Sequence, residues 1–149
     1  MRLGECCNRT VVIADREMGV PDAARLMREY HVGDLIVVQR EKDINRPIGI
    51  VTDRDLVVEV LALEADPARL TVYDVMSENL ATALEDDDVL DTLRRMHALG
   101  IRRMPVVNRD GALIGIMAVD DMLEIIRGSL SEVIGLVDRQ IGKEVRQRP

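Results

Sequence analysis

The sequence predicts an α+β fold in which two copies of a β-α-β-β-α unit pack about a pseudo-twofold axis, with a helix added at the C-terminus. Three observations carry this. Gly49-Ile50-Val51-Thr52-Asp53-Arg54-Asp55-Leu56 returns as Gly115-Ile116-Met117-Ala118-Val119-Asp120-Asp121-Met122, each a glycine, an apolar strand and an acidic helix start. Val20-Pro21-Asp22-Ala23-Ala24-Arg25-Leu26-Met27 lies over Val89-Leu90-Asp91-Thr92-Leu93-Arg94-Arg95-Met96, so the likeness reaches back through the unit. Short apolar strands then alternate with helical spacing in the same order in both copies. A duplicated unit of this size buries its apolar face against its copy and leaves a cleft between them. The expected divisions are residues 1–66, 67–128 and a terminal helix over 129–149.

In the first copy Thr10 to Ile13 reads as a β-branched strand. Val20, Ala23, Ala24, Met27 and Tyr30 then give an amphipathic helix with Pro21 near its start. Leu35 to Val38 is a buried strand, Arg40 to Arg46 a polar loop, and Pro47 leads into the strand Ile48 to Val51. A helix from about Asp53 to Leu63 closes the unit, and Glu64 to Arg69 is the linker. Thr71-Val72-Tyr73-Asp74 opens a short helix with a capping-box pattern.

The second copy follows: a strand over Leu80 to Ala83, a helix face of Val89, Leu93, Met96 and Leu99, and a strand over Met104 to Val107. Asp110-Gly111 makes a tight hairpin into Leu113 to Met117, and a helix begins near Val119. Ser129-Leu130-Ser131-Glu132 looks like a further helix start. Leu130, Val133, Ile134, Val137, Ile141 and Val145 continue an apolar stripe from there. That stripe suits packing on its own domain or on a second subunit equally well.

Composition excludes several functions. Tyr30 and Tyr73 are the only aromatic residues, so the stacking platforms used for single-stranded nucleic acid are missing. With 20 basic and 27 acidic residues the net charge is −7, which repels phosphate backbones. No apolar run is long enough to span a bilayer and no signal pattern opens the chain; a cytoplasmic protein is expected. Cys6 and Cys7 are adjacent, a poor basis for a disulfide framework, and with His31 and His97 elsewhere they make a poor zinc set.

The chemistry concentrates where strand hands over to helix. In Thr52-Asp53-Arg54-Asp55 the hydroxyl suits the N-cap and the second carboxylate the third helical position, a capping box with Asp in place of Glu. The same corner offers free N–H groups and a partial positive charge to an anion. Its carboxylate can also accept both hydroxyls of a ribose. With a second copy at Asp121, cap and ligand anchor stand level.

The β-α-β-β-α repeat, the phrase Gly49-Ile50-Val51-Thr52-x-x-Asp55 and the phrase Gly100-Ile101-Arg102-Arg103-Met104-Pro105-Val106-Val107 together resemble the CBS-domain family. Two such repeats form a Bateman module, here over about residues 5 to 128. The resemblance implies a non-catalytic regulatory protein that holds AMP, ADP, ATP, NAD(H) or S-adenosylmethionine in clefts between repeats. It implies a homodimer, and a regulated partner that the sequence does not identify. With no room for an enzyme domain, the chain is similar to the stand-alone bacterial members.

By the same resemblance Asp55 binds ribose and Thr52 a phosphate or ribose oxygen, while the backbone of Ile50 and Val51 lines the adenine pocket. Ala81 then lies against the base, and Arg102 and Arg103 point towards the phosphates. The Asp121 cleft departs from this pattern. Ala118 replaces the threonine, Gly33 and Asp34 stand where the arginines would, Val12 faces the base, and Arg54 is the cation in reach. Two rival classes remain. An enzyme lacks a nucleophile with a base, and the repeat puts Asp55 and Asp121 in separate clefts. An interaction module would keep the fold with vestigial clefts and dock through the terminal helix.

Overall fold

A computed structural model describes residues 1–147. It divides into two units, Met1–Met117 and the remainder from Ala118. The first holds two three-stranded sheets. In one, β1 (Ile13–Asp15) runs parallel to β2 (Asp34–Glu41), which pairs antiparallel with β3 (Ile44–Thr52). The other has the same order with β4 (Ala83–Leu84), β5 (Arg103–Val107) and β6 (Leu113–Ala118). Helices α2 (Val20–Tyr30) and α5 (Val89–Leu99) make the parallel crossovers. Val20, Ala23 and Met27 of α2 enter a core with Leu35, Val37 and Val51.

Several boundaries move from their expected places, each for a physical reason. The strands expected at Thr10 to Ile13 and Leu80 to Ala83 pair about three residues later. Parallel partners fix them there: Ile13 opposes Ile36 and Ala83 opposes Val106. The expected loop Arg40 to Arg46 is mostly strand, because β2 and β3 continue as a hairpin to a turn at Lys42-Asp43, with Lys42 at φ 54°. A bulge falls where Pro47 opposes Val38, since proline has no N–H for the ladder. The helix after Thr52 is one α-turn, α3 (Asp53–Leu56), that widens into a π-type stretch over Val57–Leu61. Ala62 N–H there reaches Val57 O at 2.9 Å, five residues back.

The N-terminal segment carries a helix the sequence did not announce, α1 (Leu3–Cys6), which corresponds to α4 (Val72–Val75) at the 69-residue offset that also relates Val20 to Val89. Each of these leaders is bonded to the opposite repeat. Asn8 and Ile116 exchange backbone hydrogen bonds at 3.0 and 2.9 Å, and Ser77 and Ile50 do so at 3.0 and 3.4 Å. The core of the first repeat accordingly includes Val72 and Val75. Glycines permit this crossing. A Cβ at Gly49 would sit 2.9 Å from Ser77 O, and one at Gly115 would sit 2.9 Å from Asn8 O.

The second unit is helix α6 (Val119–Gln147). Ser129 does not open a new helix. Its hydroxyl donates to Ile125 O at 3.1 Å, and Ser131 donates to Arg127 O at 3.0 Å, so both serines satisfy themselves inside one continuous helix.

Candidate functional site

The end of β3 positions the first corner. Val51 is buried and anchors the strand, and Thr52 begins α3 from an extended conformation. Thr52 N–H donates to Asp55 Oδ2 at 2.9 Å while Asp55 N–H donates to Thr52 Oγ1 at 3.1 Å. The capping box is therefore formed, which satisfies two backbone donors and fixes the carboxylate. Asp55 Oδ1 takes no part in it. Both residues are half-buried.

The second repeat reaches this corner through an ion pair with a first-repeat carboxylate. Asp34, at the start of β2, directly opposes Thr52. Its Oδ2 lies 3.2 Å from Nε of Arg103, at the start of β5. Asp34 and Arg103 are themselves equivalent positions of the two repeats, so they meet across the pseudo-twofold as an unlike pair. The Asp34 side chain is 13% exposed and that of Arg103 43%. Oδ2 is buried and accepts no hydrogen bond, so the arginine stands beside it as a charge without aiming an N–H at it. Burial pushes the Asp34 carboxyl above its ordinary range, Arg103 partly restores it, and the nearby Asp53 adds to the rise. Asp53 N–H also donates to Gly33 O at 2.9 Å, tying α3 to the residue before Asp34.

The remaining expected residues are placed as follows. Ile50 is half-buried and exchanges both of its backbone hydrogen bonds with Ser77. Ser77 is a neighbour that sequence reasoning missed, and the glycine at 49 that admits it was the available signal. Ala81 is half-buried, four residues beyond Ser77 in the stretch before β4. Arg102 is exposed beside Arg103, and Arg54 is exposed on α3. Val12 lies before β1, with its carbonyl accepting Ile36 N–H at 3.2 Å. Asp121 belongs to the second unit, where its Oδ2 accepts Ala118 N–H at 3.1 Å and no hydroxyl returns the bond.

Other features stay apart from this chemistry. A hollow of about 700 Å³ bounded by Asp15, Arg16, Glu17, Asp22 and Arg40 shares no residue with the Thr52 corner. His31 sits at the C-terminus of α2 with φ 54°, and Gly100 holds the same place after α5 with φ 65°. Among the described residues there is no cluster of His, Cys, Asp and Glu able to hold a metal, and no helix long and apolar enough to cross a membrane.

Comparison with known proteins gives a consistent answer. The CBS domain matches residues 3–62 and again 72–128. An uncharacterised protein of Methanopyrus kandleri is 37% identical over 123 residues, 83% of this chain and 61% of that protein. The inosine-5′-monophosphate dehydrogenase of Methanocaldococcus jannaschii is 31% identical over 116 residues, 78% of this chain but 22% of the enzyme. Among solved structures, the hexameric CBS-CP12 protein from bloom-forming cyanobacteria superposes with a TM-score of 0.69 at 32% identity, over 83% of this chain and 69% of that one. A CBS domain protein from Pyrobaculum aerophilum complexed with AMP gives 0.71 at 24% identity, over 81% and 89%.

Proposed function

The chain belongs to the CBS-domain family, and from that premise we propose that it is a regulatory module that binds an adenine nucleotide (AMP, ADP, ATP or NAD(H)) between its repeats without catalysis. The observation that carries this is the Thr52–Asp55 box together with Arg103, which comes from the other repeat and pairs with Asp34 opposite Thr52. Asp55 uses one carboxylate oxygen to hold Thr52 N–H and keeps the other for a ribose hydroxyl, so the structural bond orients the functional one. The backbone of Ile50 and Val51 lines the base pocket in this reading, Ala81 lies against the base, and Arg102 and Arg103 face the phosphates. The likeness to the AMP-bound Pyrobaculum protein speaks for the fold; the ligand reading leans on the residues of the corner.

The Asp121 corner lacks the hydroxyl and is the poorer phosphate site. The role extends to a homodimer and a cytoplasmic setting in which a partner protein reads the bound state. Val57, Val58, Leu61 and Leu63 are exposed apolar side chains that a second copy would cover. The rival reading, an interaction module with empty clefts, differs in one measurable respect. A ligand at about a hundredfold over its dissociation constant adds roughly 2.7 kcal/mol of stability by mass action. A rise in melting temperature with millimolar AMP, ADP, ATP or NAD(H), the nucleotide being recovered unchanged, is the expected result. No shift with any of them favours the interaction module.

A further inference from the structure

The joint between the repeats places a carboxylate where the ligand reading needs only cations. Asp34 opposes Thr52 in the sheet, lies 3.2 Å from Arg103 Nε, and buries an oxygen that accepts no hydrogen bond. A buried, unsatisfied carboxylate oxygen is costly, and native structures keep few of them. Its one compensation here is the arginine's charge. The arginine's charge is thereby partly offset at its Nε edge by an anion of the protein itself, and a ligand phosphate meets a guanidinium that already has a counter-charge.

We propose that Asp34 is a built-in counter-anion to Arg103 that sets the ligand preference of the Thr52–Asp55 corner against multiply phosphorylated ligands. Beside Asp34, a phosphate gains less from the charge of Arg103, and it also meets the negative field of Asp34 and Asp53. The adenosine end of a ligand, anchored by Asp55, is untouched by this counter-charge. The corner therefore favours adenosine ligands with one phosphate or none over di- and triphosphates. The inference rests on the adenine-ligand reading for what Asp55 binds, but its claim about phosphate at Arg103 can be read separately.

The experiment titrates adenosine, AMP, ATP and inorganic pyrophosphate into the full-length protein, into Asp34→Asn, and into Asp34→Asn combined with Arg103→Met. Asparagine keeps the shape of the side chain, and Arg103 is exposed enough to be solvated when released. Circular dichroism checks that each variant is folded. In Asp34→Asn the affinities for AMP, ATP and pyrophosphate are expected to rise about tenfold, ATP gaining most, while adenosine changes less than twofold. Adding Arg103→Met should remove the gain, which separates an offset of that arginine's charge from a general loss of negative charge. If adenosine binds neither protein but pyrophosphate binds Asp34→Asn more tightly through Arg103, the adenine reading fails and the counter-anion stands. If phosphate affinity is unchanged in Asp34→Asn, or its gain survives Arg103→Met, the counter-anion is overturned whatever adenosine does.

Discussion

Ala118 stands where Thr52 stands, and the two corners show what one hydroxyl does. At Thr52 the hydroxyl and the Asp55 carboxylate exchange bonds with each other's backbone N–H; at Ala118 only the carboxylate half is made, at 3.1 Å. Ala118→Thr restores the missing acceptor for Asp121 N–H. An N-cap of this kind contributes about 1 kcal/mol. Urea denaturation of Ala118→Thr is expected to show a gain of about that size, and an equal or lower stability would mean that the half-made box is strained against the hydroxyl. This level of detail was legible from local spacing, because a capping box is written within four residues. The Asp34–Arg103 pair was not. The two residues hold equivalent positions of the repeats, and only the approach of β5 to the start of β2 makes them neighbours.

The exchanged leaders set the cost of change at the level of the elements. Gly49 admits the backbone of Ser77 so closely that a Cβ would meet its carbonyl oxygen at 2.9 Å. Gly49→Ala must therefore push the α4 leader off β3 or distort the strand, an overpacking cost of about 1–3 kcal/mol. Gly135 in α6 has nothing within 4 Å, and Gly135→Ala should instead stabilise that helix by about 0.5–1 kcal/mol. Opposite signs in urea unfolding of the two variants support the exchange; a loss-free Gly49→Ala would contradict it. The composition of residues 10–13 and 80–83 suggested strands there, but strand limits follow the partner, and the parallel neighbours begin three residues later. The Lys42–Asp43 turn was hidden by polar residues on both sides, since a hairpin that leaves the core keeps its hydrogen bonds without an apolar pattern. No local signal marked the π-type stretch after α3, and α1, four residues long, is too short to show a helical apolar period.

At the scale of the molecule, duplication explains both the fold and the site. Each repeat completes the other's sheet with its leader, so neither folds around its own residues alone, and the joint they share is where Thr52, Asp34 and Arg103 meet. The doubled phrase was sufficient to read the two-repeat architecture, because equivalent sequences recurring in the same order adopt equivalent structures. What the duplication could not convey is where the copies differ in consequence, such as an acid facing an arginine across the pseudo-twofold. The central claim is that the Thr52–Asp55 corner holds an adenine nucleotide unconsumed. Calorimetric titration of AMP into the wild type and Asp55→Asn tests it most directly, since the asparagine oxygen can still accept Thr52 N–H and preserve the helix start. The expected result is saturable binding to the wild type, about ten- to a hundredfold weaker binding to Asp55→Asn, and AMP recovered intact. Equal affinity in the two proteins, or conversion of the nucleotide, would contradict it.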